Sequence, residues 1–342
     1  METKVQYLQQ LPPRGRFPEE SVLFYDSILA RKTDFKKWSA GFKYKIALKS
    51  GEDLKTIESF SNVLAKITRL NVPQTTKLTF VAVGGGSVGD FVGFLASTYL
   101  RGRPLVLIPS TWLSAVDSAH GGKTGLNFQK TKNQIGSFWP AVETLICKDI
   151  LATQPPERLT EALGEIIKIA VLQDKILFNF LENNLANLNT EVLFKKLPQI
   201  VKLKYHIVSQ DPLESNGTRR LLNLGHTLGH VFESSYQWPH GVCVLLGLQF
   251  ALRWSYQRKM TSEKDFVQIS ELLNSVSITQ NLNSALKKLS TKKALQLLLK
   301  DKKLTTQSKL DFIFIKGVGK CERHSVPATD IIREIERQKL EY

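Results

Sequence analysis

Residues Leu78 to Ser110 read LTFVAVGGGSVGDFVGFLASTYLRGRPLVLIPS. LTFVAV is an unbroken apolar run of buried-strand length, FVGFLASTYLRG spaces its apolar residues as a helix does, and PLVLIPS is a second apolar run. Two such strands joined through a helix pair in parallel, because a hairpin turn cannot connect them, and a parallel sheet needs helices on its faces. Between the first strand and the helix lies Gly84-x-Gly86-x-x-Gly89, the spacing of a dinucleotide fingerprint. Glycine lets backbone approach a pyrophosphate, and the helix start offers unpaired N–H groups and a positive dipole. The same glycines also suit a merely tight turn. The fingerprint's acid about 20 residues downstream is absent, since RGRPLVLIPST carries none, and Asp26 is the best-placed substitute.

Upstream, SVLFYD (21–26) is a short apolar run ending in that acid, KYKIALKSGEDLK (43–55) follows, and TIESFSNVLAKITRL (56–70) has helical periodicity. Downstream of Ser110 the chain is glycine-rich, polar and too irregular for one element. There Asp117, Lys123, Lys132 and Asn133 bring a carboxylate, two amines and an amide that suit a polyhydroxylated anion, although solvated loop lysines give the same composition. From Pro155 helices take over, with Leu159, Ala162, Leu163, Ile166 and Ala170 on one face. Leu310–Glu322 reads as a small hairpin. The expected architecture is α/β: a Rossmann-like parallel-sheet domain over residues 1–154, then an all-α domain over 155–342.

Three of the six histidines crowd into LLNLGHTLGHVFESSYQWPHGVCV (221–244). His226 and His230 are one helical turn apart, and His240 follows Pro239 at a chain reversal. From spacing alone the first two pair as metal ligands, with His240 supplying a third nitrogen. Glu165 and Lys168 sit off the apolar face of their helix, as an exposed i,i+3 pair worth about 0.3 kcal/mol would. With a histidine cluster elsewhere, Glu165 is also a candidate carboxylate ligand.

The composition, 42% hydrophobic and 23% charged, is that of a globular protein. No apolar run is long enough to span a membrane, and METKVQYLQQLPPRGR lacks the apolar core of a signal peptide, so a cytoplasmic location without membrane attachment is expected. Three widely spaced cysteines fit a reducing compartment. The net charge is +16, yet basic residues are scattered, without the aromatic-interleaved runs of a nucleic-acid surface. Such a field equally draws in a small polyanion.

Taken in order, GGGSVGD, TYLRG, VDSAHGGKTGLN, KNQIGSF, GEIIK, LLNLGHTLGH, HG and DKK resemble the 3-dehydroquinate synthase family from about residue 20 onward. The resemblance implies an NAD-binding α/β domain and a helical domain with the active site in the cleft between them. It places a divalent metal, Zn2+ or Co2+, on Glu165, His226 and His240, and turns His230 toward the substrate phosphate. Gly51-Glu52-x-x-Lys55 matches the family's GExxK. With Asp26, Gly85, Gly86 and Asp90, and with Asp117, Lys123 and Lys132, Glu52 and Lys55 form the implied NAD contacts. Lys123, Asn133, Lys168, Lys204, Arg219, Asn223, His230 and Lys302 match catalytic and substrate-contacting positions. Arg101 matches an arginine that reaches the neighbouring subunit's site, which implies a homodimer. The implied substrate is a phosphorylated sugar acid, 3-deoxy-D-arabino-heptulosonate 7-phosphate.

Some positions depart from that pattern. The family's strand or two ahead of the SVLFYD segment is missing, Ile28 stands where Asn is usual, and the family's HGEA reads His240-Gly241-Val242-Cys243, without its acid. The loop between His230 and His240 is about two residues short. A sedoheptulose 7-phosphate cyclase and a polyol dehydrogenase of the same superfamily are the neighbouring readings. The lysine-rich segments count against the polyol enzyme, because a neutral polyol offers them nothing.

Overall fold

Neighbouring residues of the inner strands face opposite sides, and the sequence is apolar on both. Val22, Phe24, Phe80 and Ala82 join one buried cluster, while Leu23, Val81, Val83, Val106 and Ile108 join another. A strand buried on both faces reads as a continuous apolar run, which is the signature of a parallel sheet. In the computed structural model, which describes residues 3–129, 131–300, 304–305 and 309–341, that sheet has six strands.

In chain order the strands of the first part are β1 Lys4–Leu8, β2 Val22–Asp26, β3 Tyr44–Leu48, β4 Phe80–Gly84, β5 Leu105–Pro109, β6 Lys123–Phe128, β7 Thr131–Phe138 and β8 Glu143–Cys147. The sheet runs β1-β8-β5-β4-β2-β3, parallel throughout, while β6 and β7 form a separate antiparallel hairpin. The strand order reverses at the β2–β4 pair, so Asp26 and the glycine turn after Gly84 lie side by side at the carboxyl ends. That crevice is where open α/β sheets bind ligands. Three differences from the sequence reading appear. A strand, β1, does precede SVLFYD and forms one sheet edge. The irregular stretch after Ser110 contains the β6–β7 hairpin, and ETLIC (143–147) is a sixth sheet strand.

The helices are α1 Thr33–Ala40, α2 Ile57–Arg69, α3 Gly86–Thr98, α4 Lys148–Leu151, α5 Pro156–Gln173, α6 Lys175–Asn184, α7 Thr190–Gln210, α8 His226–Tyr236, α9 His240–Gln257, α10 Glu263–Ser275, α11 Leu282–Lys288, α12 Thr291–Lys300 and α13 Ala328–Glu341. Contacts divide the chain into two compact units, Met1–Arg158 with Thr190–Pro198, and Leu159–Asn189 with Gln199–Tyr342. The second unit is mostly helical and carries the expected hairpin as β10 Lys309–Gly317 and β11 Lys320–Pro327, with β9 Leu304–Thr305 pairing beside β10.

In the second unit, glycines bring helices into backbone contact. A Cβ on Gly241 would lie 1.5 Å from the Glu161 carbonyl oxygen, and one on Gly164 would lie 2.2 Å from that of Gly241. Gly164 precedes Glu165 and Gly241 follows His240, so this close crossing of α5 and α9 sets those two side chains against each other. Among the described residues, no helix is long and apolar enough to cross a membrane.

Candidate active site

The first group of functional side chains collects at the carboxyl ends of the sheet. Asp26 ends β2 and accepts the Ile28 N–H at 3.2 Å; the Ile28 side chain itself is exposed. Glu52 opens and Lys55 caps a short helical turn after β3, and Lys55 is only 3% exposed. Its ammonium donates to Asp90 Oδ2 at 2.6 Å and to Asn133 Oδ1. Burial raises the Asp90 carboxyl above its usual value against the pull of Lys55, and the charges of Glu52 and Asp117 push the same way as burial. Asn133, placed among catalytic positions by the resemblance, therefore joins the residues expected at NAD. It holds a left-handed backbone, φ 52°, and its N–H donates to Asn127 Oδ1 at 2.9 Å. Asn127 Nδ2 in turn donates to Glu52 Oε2 at 2.8 Å. Asn127 was not singled out from the sequence; its place within GKTGLN is the signal that points to it.

Gly85 and Gly86 open α3 in a crowded cradle, where a Cβ on Gly86 would meet Ser118 Oγ at 2.9 Å and one on Gly85 would meet Thr111 at 3.1 Å. The first turn of α3 carries no acid, as an anion-binding helix start requires. Asp117 is half-buried on a helical turn after β5, and Lys123 and Lys132 stand exposed on the β6–β7 hairpin. Arg101 is exposed at a turn where Leu100 (φ 47°), Arg101 (φ 63°) and Gly102 (φ 117°) all take positive φ.

The second group lies in the helical unit. Glu165, on α5, is 4% exposed, which removes the exposed-pair reading: the carboxylate and the Lys168 ammonium form a buried ion pair. Glu165 Oε1 is 3.3 Å from both His226 Nε2 and His240 Nε2. The other ring nitrogens settle the tautomers. His226 Nδ1 lies 3.1 Å from the Leu224 carbonyl and His240 Nδ1 lies 3.0 Å from Glu233 Oε2, so each Nδ1 carries the hydrogen. Both Nε2 lone pairs then face Glu165 Oε1. Three acceptors converging without a donor repel one another, and a cation resolves the conflict.

A proton is one such cation. Burial opposes it, but Glu165 and Glu233 raise His240 to about 10. Burial and Lys168 lower His226 to about 3, and Glu165, despite its burial, is held well below the carboxylate range by Lys168 and His226. The ligand atoms of Glu165, His226 and His240 all lie within 4.8 Å of one another, as do those of His230, Glu233 and His240. Local spacing paired His226 with His230, whereas the carboxylate contacts join His226 to His240. His230 stands beside them, its ring 5.3 Å from that of His226.

Lys204 on α7 and Arg219 are buried, and Asn223 is half-buried at the end of the helical turn Thr218–Asn223. Asp211 sets this loop by accepting the backbone N–H groups of Ser215, Asn216 and Arg219 at 2.7, 3.2 and 3.1 Å. Lys302 lies outside the described residues.

The family model for the 3-dehydroquinate synthase N-terminal region matches residues 45–161, and that for the C-terminal region matches residues 162–304. The 3-dehydroquinate synthase of Prochlorococcus marinus (strain MIT 9215) is 35% identical over 297 residues, 84% of this chain and 77% of its own length. Among solved structures, 2-deoxy-scyllo-inosose synthase complexed with carbaglucose-6-phosphate, NAD+ and Co2+ superposes with a TM-score of 0.82 at 22% identity, covering 97% of this chain and 96% of that one. The 2-epi-5-epi-valiolone synthase of Streptomyces hygroscopicus subsp. jinggangensis 5008, with NAD+ and Zn2+ bound, gives 0.82 at 23% identity, with 99% and 96% covered. The two models meet end to end across most of the chain and the relative's identity extends over the bulk of both sequences, so the chain belongs to the 3-dehydroquinate synthase family.

Proposed function

We propose that this chain is a 3-dehydroquinate synthase, a phosphorus–oxygen lyase that converts 3-deoxy-D-arabino-heptulosonate 7-phosphate to 3-dehydroquinate and phosphate in the shikimate route to aromatic amino acids. The observation that carries the reading is the convergence of Glu165 Oε1, His226 Nε2 and His240 Nε2 on one point, beside a buried lysine. Two nitrogens and one carboxylate oxygen are a ligand set for a catalytic divalent ion that keeps an open position. The tight glycine cradle at the start of α3 suits a dinucleotide pyrophosphate, with Asp26, Glu52, Lys55, Gly85, Gly86, Asp90, Asp117, Lys123 and Lys132 as its contacts. When bound, NAD supplies a reversible hydride acceptor for the C5 hydroxyl carbon, and Zn2+ or Co2+ supplies a Lewis acid at its oxygen.

The chain's own part is to bind, orient and balance charge. Lys168, buried against Glu165, keeps positive charge beside the carboxylate. Lys204, Arg219, Asn223 and His230, with Lys123, Asn133 and Lys302, hold a substrate that bears both a carboxylate and a phosphate. With the cofactor bound, oxidation at C5 would acidify the C6 hydrogen, the substrate's own phosphate oxygen would serve as base for its elimination, and ring opening and aldol closure would follow once the alcohol is restored, so the chain's residues need only hold and orient the substrate. No strong protein base is required. Arg101 serves a neighbouring subunit's site in a cytoplasmic homodimer, and the +16 charge draws in the polyanionic substrate.

The test is phosphate release from the purified protein given the heptulosonate phosphate, Zn2+ and catalytic NAD, with NADH absorbance followed alongside. Steady phosphate release without net NADH is expected. NADH accumulating mole for mole with substrate used would replace the cyclase with a dehydrogenase.

A further inference from the structure

We propose that Glu233 is the positioning residue for the metal ligand His240, and that in this chain it carries that role without help from the residue after His240-Gly241. The inference rests on the metal reading of Glu165, His226 and His240. The acid that the family pattern sets at that neighbouring position is Val242 here, 6% exposed and without hydrogen-bonding capacity. The carboxylate arrives instead from the preceding helix. His226, His230 and Glu233 are spaced i, i+4, i+7, so they share one face of α8, and the turn at Gln237 (φ 56°) brings the first residue of α9, His240, back beside that face.

Glu233 Oε2 takes the His240 Nδ1–H at 3.0 Å, while Nε2 of the same ring stands 3.3 Å from Glu165 Oε1. The contact therefore fixes both the tautomer that leaves Nε2 free to ligate and the plane of the ring. It also makes the ring more basic, as a carboxylate behind a ligating imidazole does. His226 has only a neutral carbonyl, that of Leu224, in the equivalent place. The two histidine ligands are thus held unequally, and the charged support belongs to the one at a helix start after a three-residue loop.

The experiment measures Zn2+ affinity by chelator competition in the full chain and its Glu233→Ala, Glu233→Gln and His226→Ala variants, with thermal melts of each metal-free protein. Glu233→Ala should bind Zn2+ about 10- to 100-fold more weakly. Glu233→Gln, which keeps an acceptor for Nδ1–H, should recover part of that loss, and the metal-free melts should show both variants folded, with Glu233→Ala the less stable because the His240 Nδ1–H loses its acceptor. Unchanged affinity in Glu233→Ala, with binding lost in His226→Ala, would overturn the positioning role and leave the metal site standing. Two ions on the parent, one of them lost with Glu233, would also overturn it, by making Glu233 a ligand. A parent chain that binds no Zn2+ would instead remove the metal reading itself.

Discussion

At the scale of single residues, the cofactor side of the molecule turns on a buried cation. Lys55 joins Asp90 on α3 to Asn133 on the hairpin, so one ammonium links the glycine turn to a residue read as catalytic. Replacing it leaves the half-buried Asp90 carboxyl and the exposed Asn133 amide without that donor, and a hydrogen bond to a charged group contributes about 1–3 kcal/mol. Lys55→Ala should lower stability by about that amount and weaken NAD binding, both readable from melts with and without NAD; an unchanged NAD-induced shift would remove Lys55 from the cofactor site. The sequence revealed Lys55 through GExxK, but not its bond to Asn133. Those residues are 78 positions apart and only the fold joins them. Glu233 was within reach of the sequence, because it continues the His226, His230 spacing on one helix face, yet its partner His240 lies beyond a turn whose direction no periodicity records.

At the scale of elements, ligand geometry is set by how closely helices cross. A methyl group on Gly241 would occupy the space of the Glu161 carbonyl, so Gly241→Ala must push α9 from α5. The expected result is a loss of about 1–3 kcal/mol, as overpacking costs, together with weaker Zn2+ binding because Glu165 and His240 separate. Retained metal affinity would show that the crossing does not set the site. The loop bearing Arg219 depends on Asp211 in a different way. Burial alone would raise that carboxyl, but the N–H donors of Arg219, Asn216 and Ser215 hold it below its ordinary value. A carboxyl lowered in the folded state adds stability that is fully present above its unfolded value, about 3.9, and is lost as pH falls through the lower folded value. Melting temperature followed against pH should therefore fall in acid for the parent and fall less steeply for Asp211→Asn, which starts lower at neutral pH. The sequence shows Gly241 beside His240 without saying what comes close to it. What approaches is another helix's backbone, and a pattern of single residues cannot name its partner.

At the scale of the whole molecule, apolar runs and the glycine turn were enough to foresee a parallel sheet, since residues buried on both faces leave no polar alternation. They were not enough for its edges. β1 is partly covered on both sides and lacks a clean apolar pattern, and β6, part-buried, and β7, largely exposed, carry polar and glycine residues that resemble loop. The strained turn Leu100–Gly102 presents an exposed Arg101, as a residue serving a second copy of the chain would be placed. If sites are shared in that way, Arg101→Ala and Lys123→Ala proteins, each weak alone, should regain part of the activity when mixed under subunit exchange; no regain would confine every site to one chain.

The most direct test of the cyclase reading follows the hydrogen at C5. Substrate deuterated there, turned over with a trace of unlabelled NAD, should yield carbocyclic product that keeps the deuterium on the carbon it left, one phosphate per product, with none collecting in free NADH. Deuterium gathering in NADH without a cyclised product would contradict the account and make the chain a dehydrogenase on this fold.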